Sequence, residues 1–519
     1  MGIINLRRFF GASATSLVLV LLVFSTDVKA QTEFEKWKAE QGKEFQEYKN
    51  KFDQEFIEML NKTWEEIGIN LGNNAYKEEK PDDIPVFPPP PPKPKVENQR
   101  SGDNILEENI DDTNIEIDLE PIRLPPPPTP KKKIIKKTTH FGSVQTLPLT
   151  IPFFSDRLLV EYPNMVKTSL KPSDFSNGKI DNKSIAKFWD VVSSVNHEEF
   201  IKYTLDLKKE KGLNDWGYIL LVNDLSKSIF SGSSKNLVRL MNWFILTKAG
   251  YEVKIGYDQN GVYNLFSVSN NIFNTKYYTL DGNKFFPINF NRETQNPGKI
   301  YTYSGKHKEQ IRKLDLTIDS YPDFIATGKE TVKNLTFDYD GKTYKLPVSI
   351  NNEVVSYFEY YPLTDLGVFF TASFSDATKA QIYSALKPIL EGKSELEAVS
   401  ILLRFVQKAF DYKTDQDQFD REKYMMPDEA LFYDYSDCDD RSIIFANLVR
   451  ELLDLKVVGL RYSRHLAVAV AFNENVDGDY HMHLGDKFTV ADPTFINAPV
   501  GLTMTSYKNE DPEIISIGD

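Results

Sequence analysis

The sequence predicts an α+β protein, and two observations near the C-terminus carry that prediction. Apolar residues from Ile443 to Leu453 recur at three-to-four spacing, which is typical of an amphipathic helix with one wide apolar face. The two runs that follow, Arg464–Phe472 and Lys487–Thr494, have the alternating and β-branched residues of strands. With 519 residues, of which 41% are hydrophobic, the chain is long enough for about two to four domains.

Residues 1–30 have the pattern of a signal peptide. Two arginines precede an apolar core from about Leu17 to Phe24, and Val28-Lys29-Ala30 offers small residues for cleavage. The core is too short to anchor the chain across a bilayer; the alternative is a buried N-terminal helix. We expect an exported protein, periplasmic or extracellular, whose mature chain begins at Gln31.

Residues 31–140 predict a helical segment and then a linker. In 31–72, aromatic and apolar residues recur at helical spacing or multiples of it: Phe45, Phe52, Phe56, Leu60 and Trp64. This amphipathic face must cover its own domain, a partner protein, or a second copy of the chain as in a coiled coil. Residues 73–140 are charged and rich in proline, so we expect a disordered linker that cannot bury a core.

The remaining chain divides into three predicted regions. Residues 141–299 are expected to form an α/β domain, because helical patterns over Ile185–Leu207 and Asn236–Lys248 precede several strand-like runs. Residues 300–374 are expected to form a β-rich module, since Leu335–Val368 alternates around a turn at Asp340-Gly341. Residues 375–519 contain the helix and strands described first.

Composition argues against several classes of partner and cofactor. The net charge of −13 and pI near 5.2 disfavour a nucleic-acid partner, and no glycine-rich phosphate loop points to a nucleotide cofactor. His481 and His483 could share a strand face, but a third metal ligand is not evident, so we expect no metal and no cofactor. His140, His197 and His307 stand in polar surroundings and are expected at the surface.

Cys438, the only cysteine, lies where the C-terminal helix is expected to begin. Asp437 is a suitable N-cap, and Asp439 and Asp440 fall in the first turn, where the helix dipole favours negative charge. A thiolate here gains from the dipole and from backbone N–H groups, which could also receive an oxyanion. The three aspartates oppose a thiolate, and we expect pairing with an imidazolium to outweigh them.

His465 opens the first predicted strand and Asp492 closes the second. With period two, His465 shares its face with three alanines, a small face expected to let the helix approach the imidazole. If the strands pair antiparallel, His465 meets Asp492. Cys438, His465 and Asp492 then form a nucleophile, a general base and the group that orients the base. The alternative is a buried free cysteine, a core histidine and a capping aspartate, without chemistry.

This arrangement, with Asp492-Pro493-Thr494 closing the second strand, resembles the transglutaminase-like cysteine protease and acyltransferase superfamily, most specifically over Leu431–Gly501. The resemblance implies a papain-like catalytic domain over 375–519 of the bacterial exported type, using the same triad on a protein or peptide substrate. Bacterial relatives are mostly peptidases or amidases, whereas the animal enzymes cross-link glutamine to lysine. The other class of function is a secreted, non-catalytic scaffold that binds peptide or glycan.

The sequence departs from the animal enzymes at the oxyanion site. Those enzymes use a tryptophan there, and no tryptophan follows Trp243 in this chain. Tyr433 or Tyr435 is the expected substitute, unless the backbone N–H of Cys438 acts alone. The resemblance locates no calcium site.

Residues 141–299 have a similar order of elements. A helix opens near Ser231–Arg239 and is followed by two strands, and aligning the first strands sets Ser233 or Ser234 opposite Cys438. No histidine occurs in the following strand. Either this region is a degenerate, catalytically silent second copy of the transglutaminase-like domain, or it is an unrelated α/β domain with a common element order.

Overall fold

The computed structural model has a mixed α+β fold, which confirms the fold class at that level. It describes residues 50–72, 86–88, 116–118, 146–164, 169–195, 197–232, 234–289, 297–322 and 328–518. The expected signal peptide lies outside the described residues, as does most of the expected linker. Within those ranges, no helix has both the length and the apolar character needed to cross a membrane.

The N-terminal helix, α1, covers its own chain. Its described part spans residues 50–60, and strand β1 (Glu65–Ile67) follows. Phe56, Leu60 and Trp64 are buried, and the Phe56 ring centroid lies 4.7 Å from that of Trp189. The apolar face of the described part of the helix therefore packs on its own chain, which is the first of the three alternatives that the sequence left open.

Two pieces of the expected linker are bound to the C-terminal half of the chain. Strand β2 (Glu116–Asp118) pairs in parallel with Thr343–Lys345. The backbone N–H of Phe87 donates to the carbonyl of Ile496 at 2.8 Å, and Asn497 Nδ2 donates to the carbonyl of Phe87 at 3.1 Å. A segment that cannot bury a core can still add backbone hydrogen bonds to an exposed edge.

The described residues of 146–302, the N-terminal unit, include a hairpin, then four helices and then five strands. In chain order they are β3 (Thr146–Phe153), β4 (Asp156–Pro163), a 3₁₀ turn (Pro172–Phe175), α2 (Asn182–Ser193), α3 (Glu198–Glu210), α4 (Asp215–Ile229), α5 (Lys235–Lys248), β5 (Val253–Asp258), β6 (Gly261–Phe266), β7 (Tyr278–Leu280), β8 (Asn283–Phe285) and β9 (Ile300–Thr302). The main sheet has the order β1-β9-β5-β6, and α5 packs on β5 and β6.

The helical pattern over Ile185–Leu207 forms two helices, α2 and α3, rather than one. At the end of α2 the hydroxyls of Ser193 and Ser194 bond back to the carbonyls of Asp190 and Val191. Such local side-chain bonds compete with the backbone ladder and favour a break.

Residues 330–516, the C-terminal unit, begin with another hairpin. In chain order the elements are β10 (Glu330–Tyr339), β11 (Lys342–Asn351), α6 (Asn352–Phe358), α7 (Leu366–Thr371), α8 (Asp376–Leu390), α9 (Glu395–Ala409), β12 (Asp411–Tyr412), α10 (Asp415–Phe419), α11 (Pro427–Phe432), β13 (Tyr435–Ser436), α12 (Cys438–Leu453), β14 (Val457–Tyr462), β15 (His465–Ala471), β16 (Tyr480–His483), β17 (Asp486–Ala491), a 3₁₀ turn (Thr505–Tyr507) and β18 (Glu513–Ser516). The five-stranded sheet has the order β16-β17-β15-β14-β18.

The region 300–374, expected to be a β-rich module, is divided between the two units. Strand β9 joins the sheet of the N-terminal unit, whereas β10 and β11 pack on α9 and α8 of the C-terminal unit. The alternating pattern continues beyond Asn351, but the chain there forms α6 and α7. The Asn351 side chain accepts from the N–H of Glu353 at 2.9 Å, and this cap outweighs the alternation.

Two histidines expected at the surface are buried. His307 Nε2 lies 3.2 Å from Oδ1 of Asp53 on α1, and Lys248 Nζ donates to the other carboxylate oxygen at 3.0 Å. His197 lies with Nδ1 3.0 Å from the carbonyl of Val195, and burial lowers its pKa. His140 lies outside the described residues.

Candidate active site

The start of α12 is fixed by Asp440. Cys438 is the first residue of the helix, and Asp437 is its N-cap, as the sequence predicts. Asp440 Oδ2 accepts from the N–H of Asp437 at 3.1 Å, and Oδ1 accepts from the N–H of Met425 at 3.0 Å. One buried carboxylate therefore ties the preceding loop and the helix entry together around the thiol.

The Cys438 thiol is buried, with 1% of the residue exposed. Its sulfur lies 3.5 Å from Oδ1 of Asp439, the next residue in the first turn. The aspartates that the sequence sets beside the cysteine are thus buried with it, and their charges need a counterpart.

Arg441, one turn after Cys438, supplies a buried positive charge. Its Nε donates to Ser436 Oγ at 3.1 Å, and Nη2 donates to the carbonyl of Phe410 at 2.7 Å. Burial lowers the pKa of Arg441 to about 10, against the opposing influence of Tyr412, Asp437, Asp440 and Cys438. The guanidinium remains charged at neutral pH and offsets part of the acidic surroundings.

The acidic residues at this helix start are close enough to hold a cation by their spacing. Donor atoms of Asp415, Asp437 and Asp440 lie within 4.8 Å of one another, as do those of Asp415, Glu422 and Asp439. Carboxylate oxygens suit Ca²⁺ or Mg²⁺. Here, however, Asp415 also accepts from the N–H of Lys423 at 2.8 Å and Asp440 accepts two N–H groups, so backbone donors already stabilise these charges.

His465 and Asp492 are brought together as the antiparallel pairing requires. Strands β15 and β17 pair with Val468 opposite Ala491, so the register continues with Asp492 opposite Ala467, which is two residues from His465 and on the same strand face. His465 Nε2 lies 2.8 Å from Asp492 Oδ2, and both side chains are buried. The second oxygen, Oδ1, accepts from the backbone N–H of Thr494 and of Phe495, at 2.9 and 3.1 Å.

Asp492 is held in turn by Gln407 on α9. The Gln407 Nε2 group donates to the carbonyls of Asp492, Phe495 and Ala498, at 3.1, 2.9 and 3.2 Å. A single buried amide therefore fixes the loop that follows β17. The helical pattern identifies α9, but no sequence signal links its glutamine to a loop 85 residues later.

The imidazole of His465 lies beside two aromatic rings that the sequence did not predict, and these two rings also contact each other, with centroids 5.2 Å apart. The Tyr507 ring lies 5.3 Å away and the Tyr462 ring 6.4 Å away, both nearly parallel to it with interplanar angles of 16°. Tyr462 pairs with His465 across the hairpin turn, so a two-residue turn at 463–464 would have revealed it. Tyr507 belongs to a 3₁₀ turn beyond the last predicted strand, where no periodicity pointed to it.

The expectation that α12 approaches the alanine face of β15 is wrong. The helix packs on the opposite face, in one apolar cluster with Leu466, Val468 and Val470. Ala467 and Ala469 belong to a second cluster whose large members include Tyr462 and Tyr507. The small residues leave room for those tyrosines, and not for the helix.

Ser442 connects the helix to the strand. Its hydroxyl donates to the carbonyl of Leu466 at 3.0 Å, and both groups are buried. Ser442 lies four residues after Cys438, about 6 Å along the helix axis at 1.5 Å per residue, and Leu466 directly follows His465. This bond therefore sets the cysteine end of α12 against the histidine end of β15.

The two tyrosines expected near an oxyanion site lie in different surroundings. The ring of Tyr433 packs against Phe419 and Phe432 at 5.0 and 5.2 Å, and burial raises its pKa. Tyr435 is 39% exposed on β13, with Lys413 Nζ 5.2 Å from its ring centroid. Tyr435 is the nearer to Cys438 in the chain, separated from it by two residues.

His481 and His483 share one face of the edge strand β16 but face different partners. His481 Nε2 lies 3.5 Å from the hydroxyl of Tyr462, and burial lowers its pKa. His483 Nε2 lies 2.9 Å from Ser516 Oγ on β18. Their surroundings are hydroxyl groups of two other strands.

Comparison of the chain with protein-family models and with curated proteins found no match.

Proposed function

We propose that this chain is an exported cysteine-dependent enzyme of the transglutaminase-like type, which cleaves or transfers an amide acyl group of a protein or peptide. The observation that carries the proposal is the buried 2.8 Å contact between His465 Nε2 and Asp492, on a strand tied to the Cys438 helix through Ser442. Single residues of these kinds are common in cores. A carboxylate-oriented imidazole, on a strand bonded to the helix that begins with the thiol, has the groups that nucleophilic catalysis uses.

The orientation of the imidazole decides which nitrogen acts as base. A buried carboxylate can only accept, so Nε2 carries a proton and donates it to Asp492. The lone pair of the neutral ring is then on Nδ1, which takes the thiol proton of Cys438 to give thiolate and imidazolium. The rings of Tyr462 and Tyr507, both nearly parallel to the imidazole, pack beside it and restrict its rotation.

The reaction then proceeds in two halves. The Cys438 thiolate attacks the amide carbonyl, and the tetrahedral oxyanion is stabilised by backbone N–H groups at the start of α12. The C–N bond breaks as Nδ1–H of His465 protonates the leaving amine, which gives a thioester. Water, or a lysine amine, attacks the thioester after losing its proton to Nδ1, and the acid or the new amide leaves as Cys438 is regenerated.

The burial of Cys438 favours a second candidate, a non-catalytic binding protein with the same fold. Intact-protein mass spectrometry with iodoacetamide over pH 5 to 9 separates the two. An activated thiol is labelled nearly as fast at pH 6 as at pH 8.5, and His465→Ala restores the steep pH dependence of a free thiol. Labelling of the unaltered protein that rises tenfold per pH unit, as for a free thiol, would favour the binding protein.

The same mass spectra test export, because an exported chain should start at Gln31 after removal of the signal peptide. An unprocessed N-terminus in protein from the native host would contradict export.

A further inference from the structure

The helix and hairpin of the N-terminal unit repeat those of the C-terminal unit at a constant spacing in the sequence. In β5–β6, Val253 pairs with Phe266, and in β14–β15, Val457 pairs with Val470. Adding 204 to the residue numbers of the first pair gives those of the second. The same is true of every other residue pair in the two hairpins, down to the two-residue turn that closes each one. The helices α5 and α12 precede these hairpins and pack on them in the same way.

The neighbouring strands follow the same plan. Strand β18 pairs antiparallel with β14, as β9 does with β5. Strand β17 pairs antiparallel with β15, and the bridge between Phe266 and Phe286 joins the segment after β8 to β6 in the same sense. The β7–β8 and β16–β17 turns both have two residues with positive φ, Asp281-Gly282 and Leu484-Gly485, which are 203 positions apart.

Side chains repeat at this second spacing as well. Lys284 lies with Nζ 4.8 Å from the ring centroid of Tyr277, and Lys487 lies 4.9 Å from that of Tyr480. Adding 203 to the first pair gives the second. Two grooves also correspond: one of about 230 Å³ includes Asn283 and Phe285, and one of about 380 Å³ includes Asp486 and Phe488.

The elements upstream extend the correspondence to both whole units. Hairpin β3–β4 packs on α4 and α3, and hairpin β10–β11 packs on α9 and α8. Helix α4 then packs on α5, as α9 packs on α12. A common helix–strand–strand order would explain one of these agreements, but it would not produce equal registers, turn lengths and neighbouring strands together.

We propose that the N-terminal unit is a second copy of the C-terminal fold and is catalytically silent. The claim that this unit is catalytically silent rests on the proposed function of the C-terminal unit. The claim that it repeats the C-terminal fold does not. The positions that correspond to Cys438 and His465 are Ser234 and Gly261, each 204 residues earlier. The position that corresponds to Asp492, counted along the β8 segment, is Asn289. Ser233, the other serine considered from the sequence, lies outside the described residues.

The silent copy is closed at the helix start. Ser234 Oγ donates to the carbonyl of Phe175 in the first 3₁₀ turn at 2.8 Å, and Asn236 Nδ2 donates to the same carbonyl at 2.9 Å. Asn236 Oδ1 accepts from the N–H of Val262 at 3.0 Å. A Cβ atom on Gly261 would meet this oxygen at 2.5 Å, and Gly261 has φ of +137°, so a histidine is excluded there without a shift of Asn236.

An experimental structure tests the copy independently of any activity. Superposing 235–266 on 439–470 should give its best fit at the 204-residue spacing, with Ser234 Cα on Cys438 Cα. A best fit at another spacing, or with another strand beside β6, overturns the proposal even if Cys438 proves catalytic.

A moved thiol tests the silence. In a Cys438→Ser, Ser234→Cys protein, iodoacetamide should label the new thiol at pH 6 at least about tenfold more slowly than at pH 8.5, and turnover should be absent. Equal labelling at the two pH values, or any turnover, overturns silence whatever Cys438 does in the unaltered protein. Unaltered protein, whose single thiol is at the corresponding helix start, is the matched control.

Discussion

Replacing Asp492 by asparagine should leave the fold intact and disable the imidazole. Asp492 accepts on both oxygens: Oδ2 faces His465 Nε2, and Oδ1 takes the N–H groups of Thr494 and Phe495. An asparagine has one accepting oxygen, so its NH₂ group must face either the loop or the imidazole. If the loop bonds are kept, the NH₂ group of the asparagine faces Nε2 and donates to it. Nε2 then carries the lone pair and Nδ1 carries the proton. Nδ1 can therefore no longer accept the thiol proton of Cys438.

The expected loss follows from the charge-assisted bond that the imidazolium would no longer make. Such a bond contributes roughly 1.5–3 kcal/mol, and at 1.4 kcal/mol per tenfold the thiolate–imidazolium pair falls by about 10- to 100-fold. Turnover, which needs the correct tautomer in every step, should fall further, toward about 10⁴-fold, with a small residual rate.

The assay is the second-order rate of iodoacetamide labelling between pH 6 and 9.5, together with thermal unfolding. Asp492→Asn should be slow at pH 6 and approach the unaltered protein above pH 9, where a free thiol also ionises. Asp486→Asn, in the same strand but in an exposed ion pair with Lys456, is the matched control and should change neither measurement appreciably. Unchanged labelling of Asp492→Asn at pH 6 in a folded protein would refute the orienting role.

Two further predictions concern buried hydrogen bonds. Ser442→Ala removes the donor to Leu466, so it should lower the free energy of unfolding in urea by about 1–3 kcal/mol and slow the labelling of Cys438 at pH 6. Ser400→Ala removes a hydroxyl-to-carbonyl bond on the surface of α9 and should do neither. Equal effects of the two changes would contradict the link between helix and strand. Burial alone would raise the pKa of Asp53, but hydrogen bonds from His307 and Lys248 outweigh it and hold the pKa at about 2. Its stabilisation of about 2 kcal/mol is therefore present above the unfolded value near 3.9 and is lost as the pH falls from about 4 through 2. Tryptophan fluorescence reports this region, because every tryptophan precedes residue 244, and Asp53→Asn should remove that pH dependence; an unchanged slope would contradict it.

Periodicity predicted the elements of the candidate site but not how their faces are used. The spacing of Ile443–Leu453 predicted α12, and antiparallel pairing predicted the contact of His465 with Asp492. The choice of face on β15 was wrong because both faces of this strand are apolar, so neither Ala467 nor Leu466 identifies the side on which a helix packs. Alternation marks a face only when the other side meets water.

The contacts that sequence could not predict join residues far apart in the chain. Gln407 holds the carbonyl of Asp492 across 85 residues, and His307 reaches Asp53 across 254. Each is an isolated polar residue within an otherwise ordinary pattern. Their roles follow only from the packing of separate elements, which a local pattern does not encode.

The two units differ in the polar groups that they hold at the helix start. In the N-terminal unit the positions of Arg441 and Ser442 hold Leu237 and Val238, and the same helix packs on the same hairpin with an identical register. The fold therefore forms without a guanidinium or a hydroxyl at these places. Burying Arg441 among carboxylates is costly, and an apolar residue of similar volume is often neutral or stabilising there. The N-terminal unit also has no carboxylate at the positions of Asp439 and Asp440, which hold Lys235 and Asn236, so the guanidinium occurs together with the acidic residues that surround the thiol. A cost in stability at this place is what the proposed function predicts, because catalytic sites are where sequences depart from the most stable choice.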